Sequence, residues 1–228
     1  MRMMQPTAIP ICISLILLVS ACASNESRKY ADEFYEQGVV WYEKQEYDRS
    51  IESFTKALEM SPDADDTYRV HFNRGMAYYK NRDYDQAIYD FTKSIETAPK
   101  TDKETLFSSY YSRGNVWQEK REYRNAIVDY NKALSSNPRD PDIKHVYQSL
   151  GWAWLALQEY DKAIAGFSTA LGIDTKLASS YYGRGLAWYY KGDYSRSAID
   201  AKEAVYLRPD NKAYDDLVYK ARSAMKDQ

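Results

Sequence analysis

The chain has 228 residues, 44% of them hydrophobic and 28% charged, which suits one globular assembly of moderate size. Its net charge of −2 comes from interspersed acids and bases, so no basic stripe offers itself to nucleic acid. Both cysteines, Cys12 and Cys22, fall in the first tenth of the chain, which excludes a disulfide framework or a cysteine-based metal site in the rest.

Residues 1–22 read MRMMQPTAIPICISLILLVSAC: a basic Arg2, an apolar run from Ala8 to Val19, then small residues before Cys22. This is the layout of a secretory signal peptide. The four residues VSAC resemble the lipobox of bacterial lipoproteins. That resemblance implies removal of residues 1–21 and lipidation of Cys22, a membrane anchor worth ~0.8 kcal/mol per buried CH₂. An ordinary signal peptide with an incidental cysteine, or an uncleaved anchor, are the alternatives. Ala23 stands where enteric-type lipoproteins retained at the inner membrane often carry aspartate, so the resemblance implies the periplasmic face of the outer membrane. Residues 22–30 would then be the lipidated cysteine and a short polar tether.

Five glycines follow in one recurring setting: Gly38, Gly75, Gly114, Gly151 and Gly185, at gaps of 37, 39, 37 and 34 residues. Four residues earlier stands Phe34, His71, Tyr110, Tyr147 or Tyr181, and three later Trp41, Tyr78, Trp117, Trp154 or Trp188. A tyrosine at 47, 84, 123, 160 or 194 comes next, followed by small residues from Ser50 to Ser197 and by Phe54, Phe91, Tyr130, Phe167 or Ala201. This frame resembles the tetratricopeptide repeat, a 34-residue helix–turn–helix. The resemblance implies an all-α fold, a right-handed superhelix of five repeats at about 31–64, 68–101, 107–140, 144–177 and 178–211, closed by a polar capping helix at 212–228. No unit can bury its apolar face alone, so stacking builds the core. The surplus residues Asp65–Thr67, Asp102–Leu106 and Pro141–Ile143 either lengthen loops or extend a helix.

An arginine precedes three of the glycines, where a leucine would be easier to bury. The residue fifteen positions after the glycine changes with it. Arg74 goes with Asp90, Arg113 with Asp129 and Arg184 with Asp200, whereas Gln37 goes with Ser53 and Leu150 with Gly166. A charge that loses water needs a partner, and guanidinium meets carboxylate with two hydrogen bonds. The expectation is a structural ion pair inside each of three repeats.

A second stripe on each first helix reads Tyr35, Val39, Tyr42; Phe72, Met76, Tyr79; Tyr111, Asn115, Gln118; Gln148, Trp152, Leu155; and Tyr182, Leu186, Tyr189. Spacing of four then three keeps each triplet on one helical face. The family's concave groove lies there, and its middle place typically holds asparagine, present here only as Asn115. Val39, Met76, Trp152 and Leu186 replace it, so the resemblance implies a groove for an apolar or aromatic peptide segment or partner helix. A tightly wound superhelix that packs these residues internally is the alternative. The carboxylate clamp of chaperone-binding relatives needs lysines and asparagines where Tyr35, Val39, Phe72 and Met76 stand, so that mode is not expected.

No nucleophile–base constellation, phosphate-binding glycine loop or metal-ligand spacing is present, and neither cofactor nor catalysis is expected. His71 reads as packing in an aromatic slot, and His145 as a solvated residue near a helix start. The sequence therefore points to a lipid-anchored adaptor that binds another protein in the bacterial cell envelope. A self-assembling or pilotin-like part of an envelope secretion or pilus assembly is the alternative. The partner and the oligomeric state are not legible.

Overall fold

The computed structural model describes residues 9–226 except 63 and 138, with side chains from residue 26 onward. The described residues form eleven helices: α1 (Ile9–Glu43), α2 (Tyr47–Met60), α3 (Thr67–Lys80), α4 (Tyr84–Thr97), α5 (Lys103–Glu119), α6 (Tyr123–Ser136), α7 (Ile143–Ala156), α8 (Tyr160–Ile173), α9 (Ala178–Tyr190), α10 (Tyr194–Leu207) and α11 (Lys212–Ala224). They fall into two compact units, Met1–Ala98 with α1 to α4 and Pro99–Gln228 with α5 to α11. In each unit consecutive helices pack in pairs, and each pair packs on the next.

Every pair is closed by the same turn. Gln45, Arg82, Arg121 and Gln158 take φ values of 61–65°, and Gly192 takes 82°. The amide of the following residue reaches back to the carbonyl of Trp41, Tyr78, Trp117, Trp154 or Trp188 at 2.8–3.0 Å. This is a Schellman ending, which satisfies the last carbonyls of the first helix. Four of the five left-handed positions hold a side chain that disfavours this conformation.

The repeat glycines exist for close approach. A Cβ at Gly38 would stand 2.6 Å from the Phe54 ring, at Gly114 2.6 Å from Tyr130, and at Gly151 2.7 Å from Phe167. Phe54, Phe91, Tyr130 and Phe167 are accordingly buried, with Ala87, Ala126 and Ala163 fully enclosed beside three of them. In α11 the corresponding place is Tyr219, which is 76% exposed. A tyrosine there removes the close approach that glycine gives the other pairs.

The three surplus segments resolve differently. α5 starts at Lys103 and has 17 residues where α3, α7 and α9 have 13 or 14, with Asp102 accepting from the Thr105 amide at 3.1 Å. Asp102–Leu106 is thus an added helical turn behind an N-cap. α3 and α7 start only at Thr67 and Ile143, so the other two additions lengthen loops.

The first helix departs from expectation. α1 runs unbroken from Ile9 to Glu43, so the backbone of the expected tether 22–30 is helical. Lys29 pairs with Glu33 one turn on, and Arg28 reaches Asp66 at 3.8 Å. Buried Ala31 adds an apolar contact. The Cys22 side chain and residues 1–8 lie outside the described residues. Among those described, no helix is long and apolar enough to cross a membrane.

Candidate partner-binding face of the first helices

The arginine–aspartate pairs close between the two helices of each repeat. Arg74 Nε and Nη2 donate to Asp90 at 2.8 and 2.9 Å. Arg113 meets Asp129 at 2.8 Å twice, and Arg184 meets Asp200 at 2.8 Å twice. Arg74 Nη1 also donates to Thr55 of the preceding repeat at 3.0 Å, and Arg184 Nη1 to Ser168 at 3.1 Å. Burial opposes the charge on Arg74, but the hydrogen bonds and charge of Asp90 outweigh it and raise its pKa. For Arg184 the hydrogen bonds to Asp200 come first and exceed the cost of burial, with the same result. These guanidiniums are spent on the scaffold and its register.

His71 is not merely packing. Its Nδ1 lies 2.9 Å from Asp90 Oδ1, so it shares the carboxylate with Arg74. The slot is aromatic in the other four repeats, which hid this bond from the sequence. His145, expected to be solvated, is half-buried at the start of α7.

In the first unit the face shared by α1 and α3 carries Tyr35, Val39, Tyr42, Phe72, Met76 and Tyr79, each half-buried. Tyr35 packs on Phe54 at 5.7 Å between ring centroids and Phe72 on Phe91 at 5.8 Å. Asn73 donates to the Tyr35 hydroxyl at 2.9 Å, tying α3 to α1. Burial and then the neighbouring Tyr47 push the Tyr42 phenol up, which keeps it a neutral donor.

In the second unit the corresponding face spans α5, α7, α9 and α11. Tyr111 packs on Tyr130 at 5.9 Å, and the Tyr130 hydroxyl donates to Asn115 at 2.9 Å with Gln118 3.2 Å away. Asn115 and Gln118 are therefore engaged by the core tyrosine. Gln148 donates to Ser180 at 2.7 Å and so joins α7 to α9. Trp152 meets Phe167 edge-on at 5.1 Å and Tyr182 at 6.1 Å. Leu155 packs on the same cluster as Trp152. Tyr182 stacks obliquely on Tyr214 of α11 at 4.8 Å. Its phenol is pushed up by burial first, then by Tyr190, Tyr214 and Asp216.

The second stripe thus does two jobs. Its aromatics pack on the buried rings of the second helices, and the stripe residues stay partly exposed. Two cavities indent this face in the second unit. One of about 420 Å³ is bounded by Gln118, Glu119, Arg121, Tyr123, Trp152 and Ala156. One of about 130 Å³ includes Tyr182, Leu186, Tyr189, Asp216 and Lys220 in its walls. No group of metal-ligating side chains occurs among the described residues.

Family models described as tetratricopeptide repeat match residues 34–64, 68–100 and 111–178. No curated protein matches the sequence. The solved structure of MamA is similar with a TM-score of 0.68 at 22% identity, covering 79% of this chain and 93% of that one. A tetratricopeptide repeat protein from Parabacteroides merdae gives 0.73 at 18% identity, covering 87% of this chain and 74% of that one. YrrB, described as a TPR protein with an unusual peptide-binding site, gives 0.68 at 18% identity, covering 86% and 94%. At these identities the likeness is one of fold.

Proposed function

Because the chain is a tetratricopeptide repeat protein, we propose that it is a non-catalytic adaptor that binds a peptide segment or helix of another protein along its first-helix face. The observation that carries this reading is the partial exposure of the second stripe. Val39, Met76, Trp152 and Leu186 are half-buried apolar residues where the family typically shows asparagine, and two cavities flank Trp152 and Leu186. Large aromatics set in such indentations are the usual anchors of a protein interface. The peptide-binding site described for YrrB adds support, since the two chains share a fold.

The test is crosslinking and co-purification from intact cells, comparing wild type with a Met76→Asp, Trp152→Asp variant whose helical content is checked first. A partner captured by wild type and lost from the variant is expected. A partner kept by both would move binding to another surface, and concentration-dependent self-association without any partner would favour an assembly part.

We further propose that lipid on Cys22 holds the adaptor on the periplasmic face of the bacterial outer membrane. The lipobox-like VSAC behind the apolar run supports this. Metabolic labelling with a fatty-acid analogue is expected to mark wild type and to leave Cys22→Ser unmarked and released from membranes. Equal labelling of both proteins would remove the anchor from the proposal.

A further inference from the structure

The first unit holds a cavity whose chemistry is more specific than an apolar face. It measures about 230 Å³ and lies among α1, the end of α2 and the start of α3. Ala31, Ala57 and Val70 give it apolar walls, and Tyr35 stands at its side. That ring is held in place by Phe54 at 5.7 Å and by the hydrogen bond from Asn73.

Three carboxylates and two guanidiniums line the cavity, but they are not equally free. Arg28 is matched with Asp66 at 3.8 Å. Arg69 donates to the Tyr68 hydroxyl at 3.2 Å and lies 5.5 Å from that ring's centroid. Asp32 and Glu36, one turn apart on α1, are both exposed cavity residues, and neither has an ion-pair partner among the described residues. A phenol does not neutralise Arg69, but three carboxylates against two guanidiniums leave the lining net negative, beside an aromatic ring and an apolar wall.

We propose that this cavity receives a lysine or arginine side chain of the partner segment, a reading that rests on the adaptor function above. The apolar stem of such a side chain lies against Ala31, Ala57 and Val70 while its cationic head meets Asp32 and Glu36. The Tyr35 ring adds a cation–π contact at the mouth. Charge complementarity selects this occupant: an acidic side chain would meet two free carboxylates, and a wholly apolar one would leave both facing it. The partner is then a segment that combines apolar or aromatic anchors with at least one basic residue.

The experiment is selection of a phage-displayed random dodecapeptide library on the full-length protein and on an Asp32→Asn, Glu36→Gln variant. Both substitutions are isosteric and lie on an exposed helix face, so folding is expected to be kept and is checked by thermal melt. Wild type is expected to enrich peptides that pair aromatic or aliphatic residues with lysine or arginine. The variant should keep the apolar preference and lose the basic one, and wild-type-selected peptides should bind it roughly tenfold more weakly. Apolar peptides without basic enrichment, or basic enrichment unchanged in the variant, would overturn this cavity's role and leave the adaptor reading standing. Failure to enrich any peptide family on wild type would overturn both.

Discussion

Phe167→Ala is expected to destabilise the second unit by about 3–5 kcal/mol, toward the upper end of that range. Phe167 is fully buried and joins three helices: it lies on α8, faces α7 through Trp152, and is approached by α9. The surroundings decide the magnitude. A Cβ at Gly151 would stand 2.7 Å from the ring, and one at Gly183 only 2.3 Å. Both neighbours are glycines, so no side chain on either can collapse into the space that the truncation leaves. The reverse change makes the same point. Gly183→Ala gains roughly 1 kcal/mol of helix propensity, yet it drives a methyl into an enclosed ring. Overpacking of this kind costs about 1–3 kcal/mol, so a net loss is expected. Gly172 in α8 is the control, because a Cβ there meets nothing within 4 Å. Gly172→Ala should be neutral or stabilising. Urea unfolding followed by far-ultraviolet circular dichroism and tryptophan fluorescence reads all three variants. Equal midpoints for Gly172→Ala and Gly183→Ala would show that the close approach is not tight in solution. In a repeat array, loss at one interface need not propagate to the other unit, so the two probes can separate.

The parts that sequence revealed are those that recur. Glycine and the buried ring sixteen or so positions later appear together in successive repeats, because each ring needs the missing Cβ. The arginine–aspartate pairs were visible for the same reason: a buried carboxylate without a cation is too costly to persist, so the two residue types appear or disappear together. What stayed hidden is what differs between copies. The left-handed residue of each turn is Gln45, Arg82, Arg121 or Gln158 in four repeats, so only Gly192 carried a conformational signal. The bond from His71 to Asp90 exists once. Upstream of the first repeat, α1 carries Arg28 toward Asp66, a contact across thirty-eight residues that helical periodicity does not encode. The candidate face was only partly legible. Spacing identified its stripe, but not that Asn115 and Gln118 are held by Tyr130, nor that Trp152 packs on both Phe167 and Tyr182.

The same slot in different repeats supplies the second large effect. Arg113→Leu is expected to cost about 3–5 kcal/mol, because it strands Asp129 with its carboxylate 4% exposed. Removing both charges should cost much less, since the penalty comes from the unpaired ion. The repeat of α7 and α8 already lives without the pair, with Leu150 buried and Gly166 opposite. Its geometry also says which double variant to make. A Cβ at Gly166 would come 3.0 Å from the Gly151 amide nitrogen, so a side chain there would have to push the two backbones apart. In the α3–α4 pair the slot accommodates one, with the Asp90 Cβ 3.3 Å from a Cβ built at Gly75. Transplanting Leu and Gly into α5 and α6 risks a void, whereas Arg113→Leu with Asp129→Ala keeps the Cβ that an aspartate-bearing slot provides. The expected order of urea midpoints is wild type, then the Leu–Ala double variant, then Arg113→Leu alone. Equal losses in single and double variants would mean that the arginine contributes by packing rather than by neutralising Asp129.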